Sequence, residues 1–224
     1  MMNWFFQFIN SSVGKKITMA TTGLLLCLYL IIHLLGNLFL FAGPEAFNAY
    51  VEGLSSLKPL VRVIEVILTL IFIGHILNAI QLTLGNRKSA GDSTYNQYQA
   101  NAVSAVSSRF MGVTGSIIFI FLVVHLQTIW FTFQTHHEEG QFYQVVTGND
   151  VGFGNPIYAV FYLIAMFLLG FHLRHGFQSA FQTFGIRYNK YGKLIEAISV
   201  IFWLIIPVGF ATIPVYFGFL KGGF

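Results

Sequence analysis

The sequence predicts an all-α integral membrane bundle of five transmembrane helices, and three observations predict it. Hydrophobic residues make up 55% of the 224 residues, and the mean hydropathy is +0.70. Asp, Glu, Lys and Arg together reach only 9%, against about 25% in a soluble domain, too few to cover a soluble surface of this size. Five stretches lack those four residue types: Ile17–Ala42, Val66–Asn86, Phe110–His137, Val151–Leu173 and Ala197–Leu220. Each is long enough to cross about 30 Å of hydrocarbon as a helix. They are solid apolar runs without the period-two alternation of a membrane barrel, so they read as helices. The same composition excludes disorder and collagen. The single cysteine, Cys27, excludes a disulfide framework, a structural zinc cluster, an iron–sulfur cluster and a CxxCH haem attachment.

The helices are expected near residues 16–42, 59–86, 108–137, 156–185 and 193–220, in one domain covering 1–224. Ahead of the first, Met1–Ser12 carries no basic residue and no small-residue cleavage site, so it does not read as a signal peptide. Pro59 suits the first turn of the second helix. Asn155-Pro156 reads as N-cap and first residue of the fourth. Pro207 and Pro214 should kink the fifth. With the N-terminus inside, the inner side carries Lys15, Lys16, Arg87, Lys88, Arg109, Arg187, Lys190 and Lys193, and the outer side only Lys58, Arg62 and Lys221. The positive-inside rule therefore predicts N-terminus in, C-terminus out. The net charge of +4 is explained by topology without nucleic acid; docking of a soluble partner on the inner face is a second use for it.

Five of the seven histidines fall in spans: His33, His75, His125, His172 and His175. Ionisable residues at membrane depth are functional by default. Counted from the outer ends, His33 and His125 lie roughly 15–16 Å deep, and His75 and His172 about 24 Å deep, at about 1.5 Å per residue. Two histidines at one depth on two helices is the geometry of a bis-imidazole haem, which moves electrons because both axial positions are filled. A lone histidine often only hydrogen-bonds across helices; four helices matched two by two make the stronger pattern. A proton path would need carboxylates, and the mid-membrane has none, Glu65 and Glu196 sitting near span ends. Asn37, Asn78 and Thr128 lie three or four residues after their histidines and are expected to lean back over them. Gly36, Gly74, Gly170 and Gly176 are expected to leave room for a flat ring. On the fourth helix His172 and His175 compete, about 60° apart in helical projection, and His175 stands at the +3 place of a supporting residue. His136 and His137 read as solvated residues of an outer loop.

The stretches SSVGKKITMATTG, HLLGNLFLFAGPEAFNAYV and FHLRHGFQSAFQTFG resemble the cytochrome b membrane anchor of bacterial succinate dehydrogenases and fumarate reductases, the single-chain, five-helix, two-haem type. The resemblance runs over nearly the whole chain. It implies two non-covalent haem b groups, with His33 and His125 as axial ligands of the outer haem and His75 and His172 of the inner. Gly176 and Gly185 stand where the family places glycines after its fourth ligand, which favours His172 over His175. It implies menaquinone as substrate, a flavoprotein and an iron–sulfur subunit on the cytoplasmic face, and a multi-pass place in the bacterial cytoplasmic membrane. Some relatives carry a glutamate two residues before the fourth ligand; here that place is Gly170, which puts a proton route through the chain in doubt.

Glu45 and Glu52, in the first outer loop, are candidates for handling the proton that accompanies each electron to a quinone; the alternative is that they solvate the loop. Arg62 is expected either to pair with Glu65, three residues on, or to meet a propionate of the outer haem. Arg174 is expected to reach a propionate of the inner haem or to snorkel to the inner surface. Two rival functions stand beside this one: a haem b anchor of another dehydrogenase, of hydrogenase or formate dehydrogenase type, and a haem-free anchor or transporter.

Overall fold

A computed structural model describes residues 2–90, 110–135, 140–186 and 190–221. Among these described residues eight helices follow in order: α1 (Met2–Asn10), α2 (Ser12–Asn37, tightening into a 3-10 turn over Leu38–Ala42), α3 (Pro44–Ser56), α4 (Lys58–Ala90), α5 (Met111–Thr135), α6 (Phe142–Thr147), α7 (Pro156–Thr183) and α8 (Gly192–Leu220). Five of them, α2, α4, α5, α7 and α8, are long and apolar enough to cross a membrane, and they coincide with the five expected spans. Arg109 and Arg187, the side chains of Arg87 and Lys88, and His136, His137, Glu138 and Glu139 lie outside the described residues.

Local chemistry sets the helix ends. Ser11 caps α2 by accepting the Gly14 N–H at 3.0 Å, and Asn155 caps α7 by accepting from Ile157 at 3.0 Å, with Pro156 following. Gly185, at φ +75°, ends α7: Ile186 N–H donates to the Phe181 carbonyl and Gly185 N–H to Gln182, a left-handed cap that satisfies the last carbonyls. The two prolines of α8 are flanked by π-turns, over Ile201–Ile205 and Tyr216–Leu220. Pro207 has no N–H for the Trp203 carbonyl and its ring would collide with it, so the helix widens there. A third π-turn, Leu126–Trp130 in α5, begins directly after His125.

Three short helices were not legible as such. The segment expected as the first outer loop is α3, started by Pro44 and clasped to α6: Asn48 donates to the Gly140 carbonyl and accepts the Tyr143 N–H. Helix α1 precedes the first span and leaves Trp4 and Phe6 exposed.

The spans pack as α2 against α4, α2 against α7, α5 against α7, and α8 against the outside of α7 and α2. Helices α7 and α8 carry most of the buried side chains, in two clusters: one around Cys27, Leu34, Leu173, Phe177 and Phe202, the other around Leu40, Phe142, Tyr162 and Phe217. Helix α4, by contrast, has no buried residue in its apolar span. Backbones of α4 and α5 hardly approach each other. The four histidine-bearing helices therefore form a ring with one loosely closed side.

Candidate functional site

Each diagonal of that ring carries a histidine couple. His33 of α2 faces His125 of α5 with ring centres 5.9 Å apart and planes at 81°. His75 of α4 faces His172 of α7 at 6.5 Å and 65°. All four imidazoles are part-buried, as a residue facing loosely filled space would be.

Every one of the four is hydrogen-bonded at Nδ1. His75 meets the Thr22 hydroxyl at 3.1 Å, His172 the Thr114 hydroxyl at 3.4 Å, and His125 the Tyr162 hydroxyl at 3.0 Å. His33 lies 3.5 Å from both the Tyr29 hydroxyl and the Asn37 amide, its ring stacked on Tyr29. Support at one nitrogen that leaves the other to face a metal is how ligating histidines are held. Two imidazoles bound by nitrogen at about 2 Å from one metal ion would have ring centres roughly 6 Å apart, and the two couples stand close to that separation. Among the described residues no third His, Cys, Asp or Glu completes either couple. A metal held here would bring its remaining ligands with it, as iron in a porphyrin does.

The supporting residues are largely not those the sequence suggested. Asn78 donates to the Gly74 carbonyl of its own helix at 2.9 Å, and Thr128 to Val124 at 2.8 Å; in a membrane the second lone pair of the carbonyl one turn back is the nearest acceptor for such a group. Asn37 does the same at 2.8 Å while still reaching His33. The glycines against imidazoles are Gly23, where a Cβ would stand 3.3 Å from His75, and Gly115, where it would stand 3.4 Å from His172. Of the four expected glycines, Gly36 lies against the Tyr50 hydroxyl, Gly170 against the Trp203 carbonyl and Gly176 near Met111, while Gly74 faces open space. One signal could have found the missed residues: Thr-Gly occurs at 22–23 and 114–115, each threonine eleven residues before the histidine of its own helix.

The spacing between levels also differs. Eleven residues separate Thr22 from His33 and Thr114 from His125, which is about 16 Å of α-helix, roughly twice the interval read from span ends. Helix α3 intervenes between α2 and α4, so their ends are not level.

His172 is the member of its helix that meets His75; His175 sits one turn on, part-buried. Arg174 is exposed and covers the Trp203 ring at 5.2 Å. Arg62 pairs with Glu65 at 2.7 Å, as the i,i+3 spacing predicts, and also donates to Gln134 of α5. Glu65 accepts from Trp130 of α5 at 2.8 Å. These long side chains close the gap between α4 and α5 at the α3 end of the bundle. Glu45 and Glu52 are exposed on α3, and no ion pair engages either among the described residues. Nearby, the Tyr50 phenol is pushed above its ordinary value by burial. The Lys221 amine is held above its own, chiefly by its 2.9 Å hydrogen bond to Tyr143.

The model of the succinate dehydrogenase/fumarate reductase transmembrane subunit family matches residues 16–103 and 85–206. No curated protein and no solved structure matches the chain.

Proposed function

Because the chain belongs to the succinate dehydrogenase/fumarate reductase transmembrane-subunit family, we propose that it is that complex's dihaem cytochrome b anchor, carrying electrons between an iron–sulfur subunit and menaquinone. The observation that supports this most is the pair of facing histidine couples, 5.9 and 6.5 Å apart between ring centres. His33 and His125 would hold the outer haem b, and His75 and His172 the inner. When bound, a haem with both axial positions filled supplies one-electron transfer without oxygen activation.

The chain's own residues do the positioning. The hydroxyls of Thr22, Thr114, Tyr29 and Tyr162 orient the imidazoles. The unpacked inner face of α4 leaves width for flat groups, and Arg62, Glu65, Trp130 and Gln134 tie α4 to α5. In this reading the α1 end is cytoplasmic. It carries Lys15, Lys16, Lys190 and Lys193, and the flavoprotein and iron–sulfur subunits dock there, in a bacterial cytoplasmic membrane. Menaquinone reacts at the α3 end, where the exposed carboxylates of Glu45 and Glu52 offer a proton for each electron.

The test is an optical spectrum of the purified complex. Dithionite reduction should develop haem b alpha bands equivalent to two haems per chain, and succinate should reduce part of them. A colourless, correctly assembled complex made with porphyrin supplied would sink the proposal, and reduction only by hydrogen or formate would reassign the partner. A companion prediction concerns α7: His175→Ala keeps both haems. Loss of the inner haem in that variant, with His172→Ala harmless, would reverse the ligand assignment.

A further inference from the structure

Two helices that each carry one outer histidine also carry, eleven residues earlier, a Thr-Gly pair against an inner histidine of another helix. We infer that Thr22-Gly23 and Thr114-Gly115 are matched positioning elements that force His75 and His172 into the tautomer able to bind iron through Nε2. This rests on the dihaem reading above and extends it to residues that touch no iron.

The argument is one of proton count. A threonine hydroxyl has a single proton to donate. That of Thr22 goes to the helix carbonyls of Thr18 at 2.7 Å and Met19 at 3.1 Å. That of Thr114 goes to Phe110 at 3.1 Å and Met111 at 3.2 Å. In each case the oxygen is left only as an acceptor, so the imidazole must donate Nδ1–H to it. A neutral ring protonated at Nδ1 carries its free lone pair at Nε2. The adjacent glycine lets that ring edge lie against the helix: a Cβ at Gly23 would stand 3.3 Å from His75 Cε1 and 3.8 Å from Nδ1, and one at Gly115 would stand 3.4 and 3.8 Å from the same atoms of His172.

The outer couple is supported differently. His33 has the Tyr29 phenol and the Asn37 amide, and His125 has the Tyr162 phenol, itself hydrogen-bonded to the Thr128 side chain. A phenol such as that of Tyr29 both donates and accepts, so it does not dictate the tautomer of His33. The family match falls in two stretches, and each contains one Thr-Gly element with one outer and one inner histidine. The device is therefore built twice, once in each half of the ring.

A haem-resolved redox titration of the purified complex tests this with Thr22→Val and Thr114→Val, nearly isosteric changes that delete the acceptor. Losing it makes the imidazole a poorer donor to iron. The inner haem's midpoint should move upward and its affinity fall by about 10–100-fold, while the outer haem stays put. Thr22→Ser and Thr114→Ser should restore the inner midpoint, and Thr18→Val, elsewhere on the same face, should not move it. If the valine variants fail to assemble, Gly23→Ala decides: it presses a methyl on the His75 ring without removing the hydrogen bond, and should change the inner haem's electron-spin resonance signal alone. An unchanged inner haem in these variants, or equal shifts of both haems, overturns the inference while two haems in the wild type leave the dihaem reading standing. A haem-free wild type overturns both.

Discussion

If the chain carries the two proposed haems, His33→Ala or His125→Ala should remove the outer one and spare the inner, and His75→Ala or His172→Ala should do the converse. The prediction follows from the diagonal couples: on the proposed dihaem reading each iron would have one protein nitrogen on either side, and the couples share no residue. Loss of a hydrogen bond behind a ligand costs about 10–100-fold in affinity, so loss of the ligand itself should cost more. The half that remains keeps its own support, since Thr22 and Thr114 serve only the inner couple and Tyr29 and Tyr162 only the outer. About 16 Å along α2 and α5 separates the two levels, far enough for local damage to stay local. Pyridine haemochrome counts, with low-temperature spectra to tell the haems apart, make the measurement. Loss of both haems in all four variants would mean that the couples are not independent; retention of both in any one would remove that residue from the ligand set.

Gly170→Glu prevents stable packing of α8 on α7. A Cβ at residue 170 would stand 2.9 Å from the Trp203 carbonyl oxygen and 3.9 Å from the Pro207 ring. Pro207, four residues on, has no N–H to offer that carbonyl, and the π-turn over Ile201–Ile205 lies at the same place. A side chain there overfills a close contact, at about 1–3 kcal/mol, and a carboxylate in mid-span adds about 2.5–3.5 kcal/mol on insertion scales. The yield of assembled complex and its thermal midpoint in detergent should fall sharply, with Gly170→Ala intermediate. A Gly170→Glu complex as stable as the wild type would show that the two helices do not meet at this contact. The same geometry gives a physical reason for glycine at this place: the proline bulge of α8 occupies the space.

Both results depend on features of unequal legibility. Spans are readable because every backbone group in a bilayer must be satisfied within its own helix. Thus charge-free length located α2, α4, α5, α7 and α8 to within a few residues, and Asn155-Pro156 marked the start of α7. The α3–α6 cap was not readable, since its helices are short and held by one asparagine reaching across 92 residues of chain. The histidine couples were half readable. Depth grouped His33 with His125 and His75 with His172, but an absolute depth needs level helix ends, and α3 removes that condition.

Second contacts were the least readable. Asn78 and Thr128 sit at the right spacing for support, yet each donates to a carbonyl on its own helix, and Thr128 reaches His125 only through the Tyr162 phenol. The residues that do support the inner couple, Thr22 and Thr114, lie 53 and 58 positions from their histidines. What the sequence alone determined is therefore the class, the number of spans and which helices carry imidazoles, since each is a property of a single helix in a uniform apolar solvent. Which ring each Thr-Gly pair faces and how far apart the two levels stand were decided only by tertiary packing, because those are distances between helices, and the spacing within one helix marks the candidates without naming their partners.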